Sequence, residues 1–241
     1  MIIQIPGVNG LGKTNGCEKA PEFICDYFNL KSEKLSLNNQ NLDEMQSDIY
    51  QKIIKLLAYK KEKIILIGGD HSISYSIGRA FLEKNKNSAI VVFDAHPDLM
   101  PPVKNPTHEE WLRALIEEKN FTDILLVGIR KNSYNIDKRE IDYANKKNIK
   151  IIYSDEFFGR KQEILDFCKN KEVYISFDID IFDSSLVDST AYPEQSGLNL
   201  NLIDLIKKID MRIMDLVEIN PEKGNIKKTM EIVKKILKCS Q

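Results

Sequence analysis

The sequence predicts a three-layer α/β/α fold, doubly wound around a mostly parallel sheet of about eight strands. Three observations carry this. Short β-branched runs alternate with longer amphipathic segments along the chain. Several short runs are apolar without a break, such as Ile64-Ile65-Leu66-Ile67 and Ala89-Ile90-Val91-Val92-Phe93. A strand reads that way when both its faces are buried, as in a parallel sheet covered by helices. Finally, 241 residues with 42 % hydrophobic and 29 % charged side chains make an ordinary globular composition. No repeat, low-complexity block or Gly/Ser/Pro linker divides the chain, so residues 1–241 are expected to form a single domain.

In chain order the candidate strands are Ile2–Ile5, Lys34–Leu37, Lys63–Ile67, Ala89–Asp94, Asp123–Ile129, Ile149–Tyr153, Glu172–Phe177 and Ile213–Glu218. Between them, apolar residues at helical spacing predict helices over Pro21–Phe28, Leu42–Tyr59, Ile73–Glu83, Glu109–Lys119, Lys138–Lys147, Lys161–Cys168, Leu202–Ile209 and Lys227–Leu237. Ser154 or Asp155 is placed to cap the segment after the sixth strand, and Asn199 the helix after the loop at 183–198. The Lys-rich stretch Lys223–Lys238 reads as an amphipathic helix with a solvated face.

Several functions are excluded early. Lys+Arg is 35 against Asp+Glu 36, a formal net charge of −1, so no nucleic-acid partner is expected. No run of about 18 apolar residues is present, so no membrane span is expected. The start Met1-Ile2-Ile3-Gln4-Ile5-Pro6 lacks the pattern of a signal peptide, which implies a cytoplasmic protein. Cys17, Cys25, Cys168 and Cys239 are scattered and form no C-x-x-C pair; they read as reduced, buried small hydrophobes.

Ligands of open α/β sheets bind beyond the carboxyl ends of the strands. Here those ends carry Gly68-Gly69-Asp70-His71-Ser72, Asp94-Ala95-His96-Pro97-Asp98, Ser176-Phe177-Asp178-Ile179-Asp180-Ile181-Phe182-Asp183 and Val217-Glu218-Ile219-Asn220-Pro221. Each Asp alone could be a helix cap or turn former. Together they point elsewhere. Asp94, His96 and Asp98 stand at i, i+2 and i+4, where an extended chain aims all three the same way, with neighbours about 6.5–7 Å apart. Asp178 and Asp180 repeat the device. Four converging carboxylates would repel, and two divalent cations would offset their charge. An oxygen-rich set with a minority of imidazole suits Mn²⁺ or a similar ion, with Ni²⁺, Co²⁺ and Zn²⁺ left open. The chain has three histidines, and His71 and His96 both fall inside these motifs.

By these motifs, in this order, the sequence resembles the arginase/agmatinase (ureohydrolase) family. Gly128-Ile129-Arg130 resembles a further family segment at the end of a central strand. The resemblance spans roughly residues 60–222 and, more loosely, Gly16–Pro21. It implies an arginase-like fold and a binuclear manganese site held by His71, Asp94, His96, Asp98, Asp178 and Asp180. Asp94 and Asp178 would bridge or flank both ions. It gives His108 the role of carrying a proton to the leaving amine, and Glu218 that of holding a guanidinium. The implied reaction is cleavage of a guanidino C–N bond into urea and an amine, as in polyamine metabolism. The implied partner is a small guanidino substrate, and the implied assembly a homo-oligomer, trimer or hexamer.

Three departures from the family pattern matter. Glu109 follows His108 where the family has glycine, so His108 also reads as a surface residue at a helix start capped by Thr107. Ser184 follows Asp183 where the family prefers proline. Met100 stands where arginases have Asn, and Lys131-Asn132-Ser133 lacks the acidic residue expected after Arg130, both positions that read the amino-acid end of an arginase's substrate. Losing those groups tilts the expected substrate from arginine toward agmatine, whose distal amine Glu194 could meet. Arginase, a formiminoglutamase-type amidine hydrolase and a non-catalytic binding protein are the alternatives. A binuclear phosphoesterase would need more histidines than the chain has.

Overall fold

Among the residues described by the computed structural model, 1–239, eight strands form one sheet. They are β1 (Ile2–Ile5), β2 (Glu33–Lys34), β3 (Ile64–Gly68), β4 (Ser88–Phe93), β5 (Ile124–Ile129), β6 (Lys150–Tyr153), β7 (Glu172–Asp178) and β8 (Ile213–Val217). Their order is β2-β1-β3-β8-β7-β4-β5-β6, and every pairing is parallel.

The unbroken apolar runs are explained by helices on both faces. Ile65, Ile67, Val91 and Phe93 point to the layer of α1 (Ala20–Tyr27), α6 (Lys161–Cys168), α7 (Asn201–Ile206) and α8 (Ile226–Cys239). Their alternates Ile64, Leu66, Ile90 and Val92 point to α2 (Leu42–Tyr59), α3 (Ile73–Lys84), α4 (Trp111–Lys119) and α5 (Lys138–Lys146). Each such side chain contributes roughly 1.5–3 kcal/mol relative to exposure, so the sheet and its two helical layers stabilise one another.

Where sequence and structure differ, the cause is local. The strand expected over Lys34–Leu37 shortens to the exposed edge pair Glu33–Lys34, because Leu35 and Leu37 turn to pack on the α2 side. The helix expected over Leu202–Ile209 runs Asn201–Ile206, and Asn199 does not cap it: Leu200 holds the cap position, while Asn199 Oδ1 accepts from the Asn201 amide at 3.0 Å in the turn that leads in. Neither Ser154 nor Asp155 caps the segment after β6; Asp155 pairs with Lys131 at 3.1 Å instead. Cys17, Cys25 and Cys168 are buried as expected, while the Cys239 side chain lies outside the described residues. No helix among the described residues is long and apolar enough to cross a membrane.

The topology decides where the site can be. β8, the last strand in the chain, lies between β3 and β7, and β7 lies beside β4. The carboxyl ends of β3, β8, β7 and β4 therefore adjoin, and the four polar motifs follow them.

Candidate metal centre and cleft

The turn after β3 delivers His71. It runs so close to the neighbouring segment that a side chain at Gly69 would place its Cβ 2.2 Å from the Gly7 carbonyl oxygen. The Gly69 amide donates to the Ile5 carbonyl (3.0 Å) and its own carbonyl accepts from the Glu218 amide (2.9 Å). Asp70 anchors the turn, its carboxylate accepting from the Asn9 amide (2.8 Å), the Thr14 hydroxyl (2.7 Å) and the Ser72 amide (3.1 Å).

β4 ends at Phe93, so residues 94–98 are not the extended run the spacing suggests. Asp98 takes a left-handed backbone (φ 53°), which aspartate tolerates better than most residues. Asp94 and Asp98 thereby converge on His71, while His96 faces Asp180. Asp178 closes β7, and Asp180 follows in a short 3₁₀ turn whose amide donates to Asp178 Oδ1 at 2.8 Å. Buried Arg130, just past β5, clamps that turn through the carbonyls of Asp180 (2.9 Å) and Ile181 (2.7 Å).

The six predicted ligands meet in two groups. His71 Nδ1 lies 2.9 Å from Asp98 Oδ2, 3.1 Å from Asp94 Oδ2 and 3.4 Å from Asp178 Oδ2. His96 Nδ1 lies 3.0 Å from Asp180 Oδ2 and 3.6 Å from Asp94 Oδ1. Asp94 belongs to both groups; the donor atoms of His71, Asp94 and Asp98 lie within 4.8 Å of one another, as do those of Asp94, His96 and Asp180.

The electrostatics ask for cations. Burial opposes every charge in the cluster. His71 is nonetheless held well above the ordinary imidazole range by Asp178, Asp94 and Asp98, and His96 by Asp180, Asp94 and Glu194. Asp94 lies between the two rings, which outweigh its burial and lower it. Burial and then the neighbouring carboxylates push Asp98 and Asp178 up. Asp94 Oδ2 is buried without a hydrogen-bond partner, its approach to His71 lacking the angle for one. Two divalent ions shared through Asp94 fit this donor set of carboxylate oxygens and imidazole nitrogens.

The centre floors a cavity of about 420 Å³, walled by Met100, Tyr134, Asn135, Ile136 and Tyr192, among others. Glu218 lines it from the end of β8, with a left-handed backbone (φ 64°). Its Oε1 accepts from the His71 amide at 2.9 Å, and the buried Cys17 thiol lies 3.8 Å from Oε2. Burial and then the charge of Asp70 hold the Glu218 carboxyl well above its usual range, a site that a bound cation would relieve. His108 also lines the cavity and is 7 % exposed, which discards the surface reading. Its ring stacks on Tyr192 with centroids 5.9 Å apart, and neither ring nitrogen has a hydrogen-bond partner among the described residues. Thr107 does not cap α4, which starts at Trp111 after Glu110; its Oγ1 accepts from the Glu109 amide at 3.2 Å in the turn before the helix. Glu109, in the place of the missing glycine, pairs with Lys13 at 2.6 Å on the cavity wall.

One expectation fails. Glu194 does not reach toward a substrate's distal end. Its Oε1 is taken by His96 Nε2 (3.2 Å), the Ser133 hydroxyl (2.9 Å) and the Asn135 amide nitrogen (2.5 Å). Trp111, the first residue of α4, also supports the centre. Its ring lies 4.8 Å from that of His71 and its Nε1 donates to Asp98 Oδ2 at 2.7 Å. Asp215, in β8, was missed outright. It accepts from Ser74 (2.7 Å), Ser176 (2.9 Å) and the Phe177 amide (3.1 Å), and Ser176 Oγ lies 2.9 Å from His71 Nε2. A polar residue inside an apolar strand was the available signal.

The family model for the arginase family matches residues 12–240. The chain belongs to the arginase family. An agmatinase of Blochmanniella floridana is 28 % identical over 184 residues, 73 % of this chain and 58 % of that protein. The N(1)-aminopropylagmatine ureohydrolase of Thermococcus kodakarensis is 32 % identical over 166 residues, 66 % of this chain and 54 % of that one. The chain thus spans less than two thirds of the length of these arginase-family relatives. Formimidoylglutamase from Bacillus subtilis superposes with a TM-score of 0.88 at 21 % identity, covering 99 % of this chain and 84 % of that one. That likeness confirms the arginase-like α/β fold.

Proposed function

We propose that this chain is a metal-dependent hydrolase that cleaves a guanidino C–N bond to urea and an amine, with an agmatinase-like preference. One observation carries the reading: a cation-seeking cluster of His71, Asp94, His96, Asp98, Asp178 and Asp180, Glu218 and the unpartnered His108 line one cavity or its floor. Manganese is the metal proposed, in a cytoplasmic homo-oligomer, trimer or hexamer, by the donor set and the family.

Two divalent ions, when bound, supply Lewis acidity and a water-derived nucleophile at neutral pH. The protein's groups do the rest. Glu218 holds the planar guanidinium, a good match for a carboxylate. As the C–O bond forms and the C–N bond breaks, the leaving nitrogen needs a proton to depart as an amine. His108 provides it from the cavity wall: neither ring nitrogen has a hydrogen-bond partner among the described residues, and the Glu109 carboxylate stands 3.7 Å from Nε2.

The outer cavity decides the substrate. Met100 presents a thioether, and the Ser133 hydroxyl is spent on Glu194. Burying an amino acid's two head charges against such a wall is costly. The expected result is a kcat/KM for agmatine at least about tenfold above that for L-arginine, roughly 1.4 kcal/mol of transition-state binding. A urea-release screen of manganese-loaded protein over agmatine, arginine, guanidinobutyrate and guanidinopropionate tests this. Equal or better turnover of arginine would overturn the preference, and no turnover of any would overturn the hydrolase. Lys13 on the cavity wall favours a second reading, an amidine hydrolase of a carboxylated substrate. Guanidinobutyrate in the same screen, with formiminoglutamate followed by formamide release, distinguishes it.

A further inference from the structure

The two histidines of the metal centre are backed differently. His71 Nε2 meets a neutral hydroxyl, Ser176 Oγ at 2.9 Å, which passes the bond to Asp215. His96 Nε2 meets a carboxylate directly, Glu194 Oε1 at 3.2 Å. A histidine that binds a metal through Nδ1 must carry its proton on Nε2, and an acceptor there fixes the tautomer, the ring plane and the basicity of the ligating nitrogen. Glu194 is 9 % exposed and comes from the loop after β7, so it is built into the site rather than passing over it.

The same oxygen of Glu194 also gathers Ser133 (2.9 Å) and Asn135 (2.5 Å) from the loop after β5. Asn135 lines the cavity, as do its neighbours Tyr134 and Ile136. The Ser133 oxygen in turn accepts from the Asn135 amide at 3.0 Å, which makes that loop one unit. One carboxylate therefore joins a metal-ligating histidine after β4 to the wall that faces the substrate's distal end.

We propose that Glu194 is a positioning residue that orients His96 for one of the two metal ions and locks the substrate-facing wall to that ligand. It rests on the metal-centre reading above. Its effect is confined to one ion, because His71 is oriented by a separate chain of hydrogen bonds that Glu194 does not touch. It also splits from the wall: Asn135 and His96 meet Glu194 Oε1 through separate bonds, so truncating Asn135 loosens the wall and leaves the ligand backed.

The test uses the full chain and Mn²⁺ as the probe. Ion binding is followed by titration calorimetry and elemental analysis, and the paired-ion signal by electron paramagnetic resonance. Wild type takes up two ions. Glu194→Gln and Glu194→Ala, checked for wild-type circular dichroism, weaken one ion by about ten- to a hundredfold and leave the other unchanged. The paired signal then appears only at high manganese. Asn135→Ala binds both ions like wild type but raises KM. Both ions bound with wild-type affinity in Glu194→Ala would overturn the proposal while leaving the metal centre standing. A wild type that binds no manganese would overturn the metal centre, and the proposal with it.

Discussion

Glu140 shows how far a single buried side chain can be read. It sits at the N-terminus of α5, where its carboxylate accepts from the Leu99 amide (2.9 Å) and the Asp137 amide (3.0 Å). Burial, with a smaller push from Asp98, raises it to about 7. The folded state then holds the proton more tightly than the unfolded chain, where the carboxyl titrates near 4.5. Its contribution to stability is full below pH 4.5 and is lost as the pH rises to about 7, at most about 3 kcal/mol at 1.36 kcal/mol per pH unit. Denaturant unfolding of metal-free protein at pH 5 and pH 8 should show wild type losing stability relative to Glu140→Gln as the pH rises. A constant difference would mean that the carboxyl titrates normally. Glu140 was invisible in the sequence because a charged residue in a helical segment reads as solvated. The candidate metal ligands were legible for the opposite reason: Asp and His at strand ends, two apart, break the apolar pattern. Glu194 was placed near the site for the wrong partner, since sequence does not show that His96 Nε2 points back toward the loop after β7.

At the level of elements, the strand-to-helix turns carry the chemistry. The turn at Gly69 is the tightest case. Replacing Gly69 with Ala sets a Cβ 2.2 Å from the Gly7 carbonyl, backbone that cannot swing aside as a side chain can. Either turn must move, and Gly69 also holds the Glu218 amide. Gly69→Ala is expected to cost about 1–3 kcal/mol and to lower urea release along with the melting temperature. Wild-type melting and activity together would show that the turn has room to spare. The strands themselves were legible because a doubly covered strand has no polar alternation to hide it, and Leu42–Tyr59 and Lys161–Cys168 match their expected bounds. The ends were not. β2 shrinks to Glu33–Lys34 while Leu35 and Leu37 pack on the α2 side, and the run from Asp94 to Asp98 leaves extended geometry through the left-handed backbone of Asp98. Both are tertiary decisions that local pattern does not encode.

Across the whole molecule, the candidate metal centre draws on chain segments from His71 to Asp180, so ions bound there would stabilise only the assembled fold. With each ion at a hundred times its Kd, loading adds about 2.7 kcal/mol per ion, and roughly 2–4 °C per kcal/mol for a chain of this size. A chelator should therefore lower the Tm of the manganese-loaded protein by about 10–20 °C. Trp111, the chain's one tryptophan, lies against His71 and Asp98 and should report the loss as a change in emission. An unchanged Tm and spectrum would count against the centre. The position of β8 has a consequence for how the protein is made. Until residues 213–217 emerge, β2-β1-β3 and β7-β4-β5-β6 are two separate ribbons, each with an open inner edge. The C-terminal strand is a keystone: it supplies Glu218, seats Asp215 under Ser176 and His71, and joins the halves in one late step. A nascent chain halted before β8 leaves two edges open to intermolecular pairing. The emergence of β8, rather than the earlier collapse of either half, sets the moment at which the sheet becomes one.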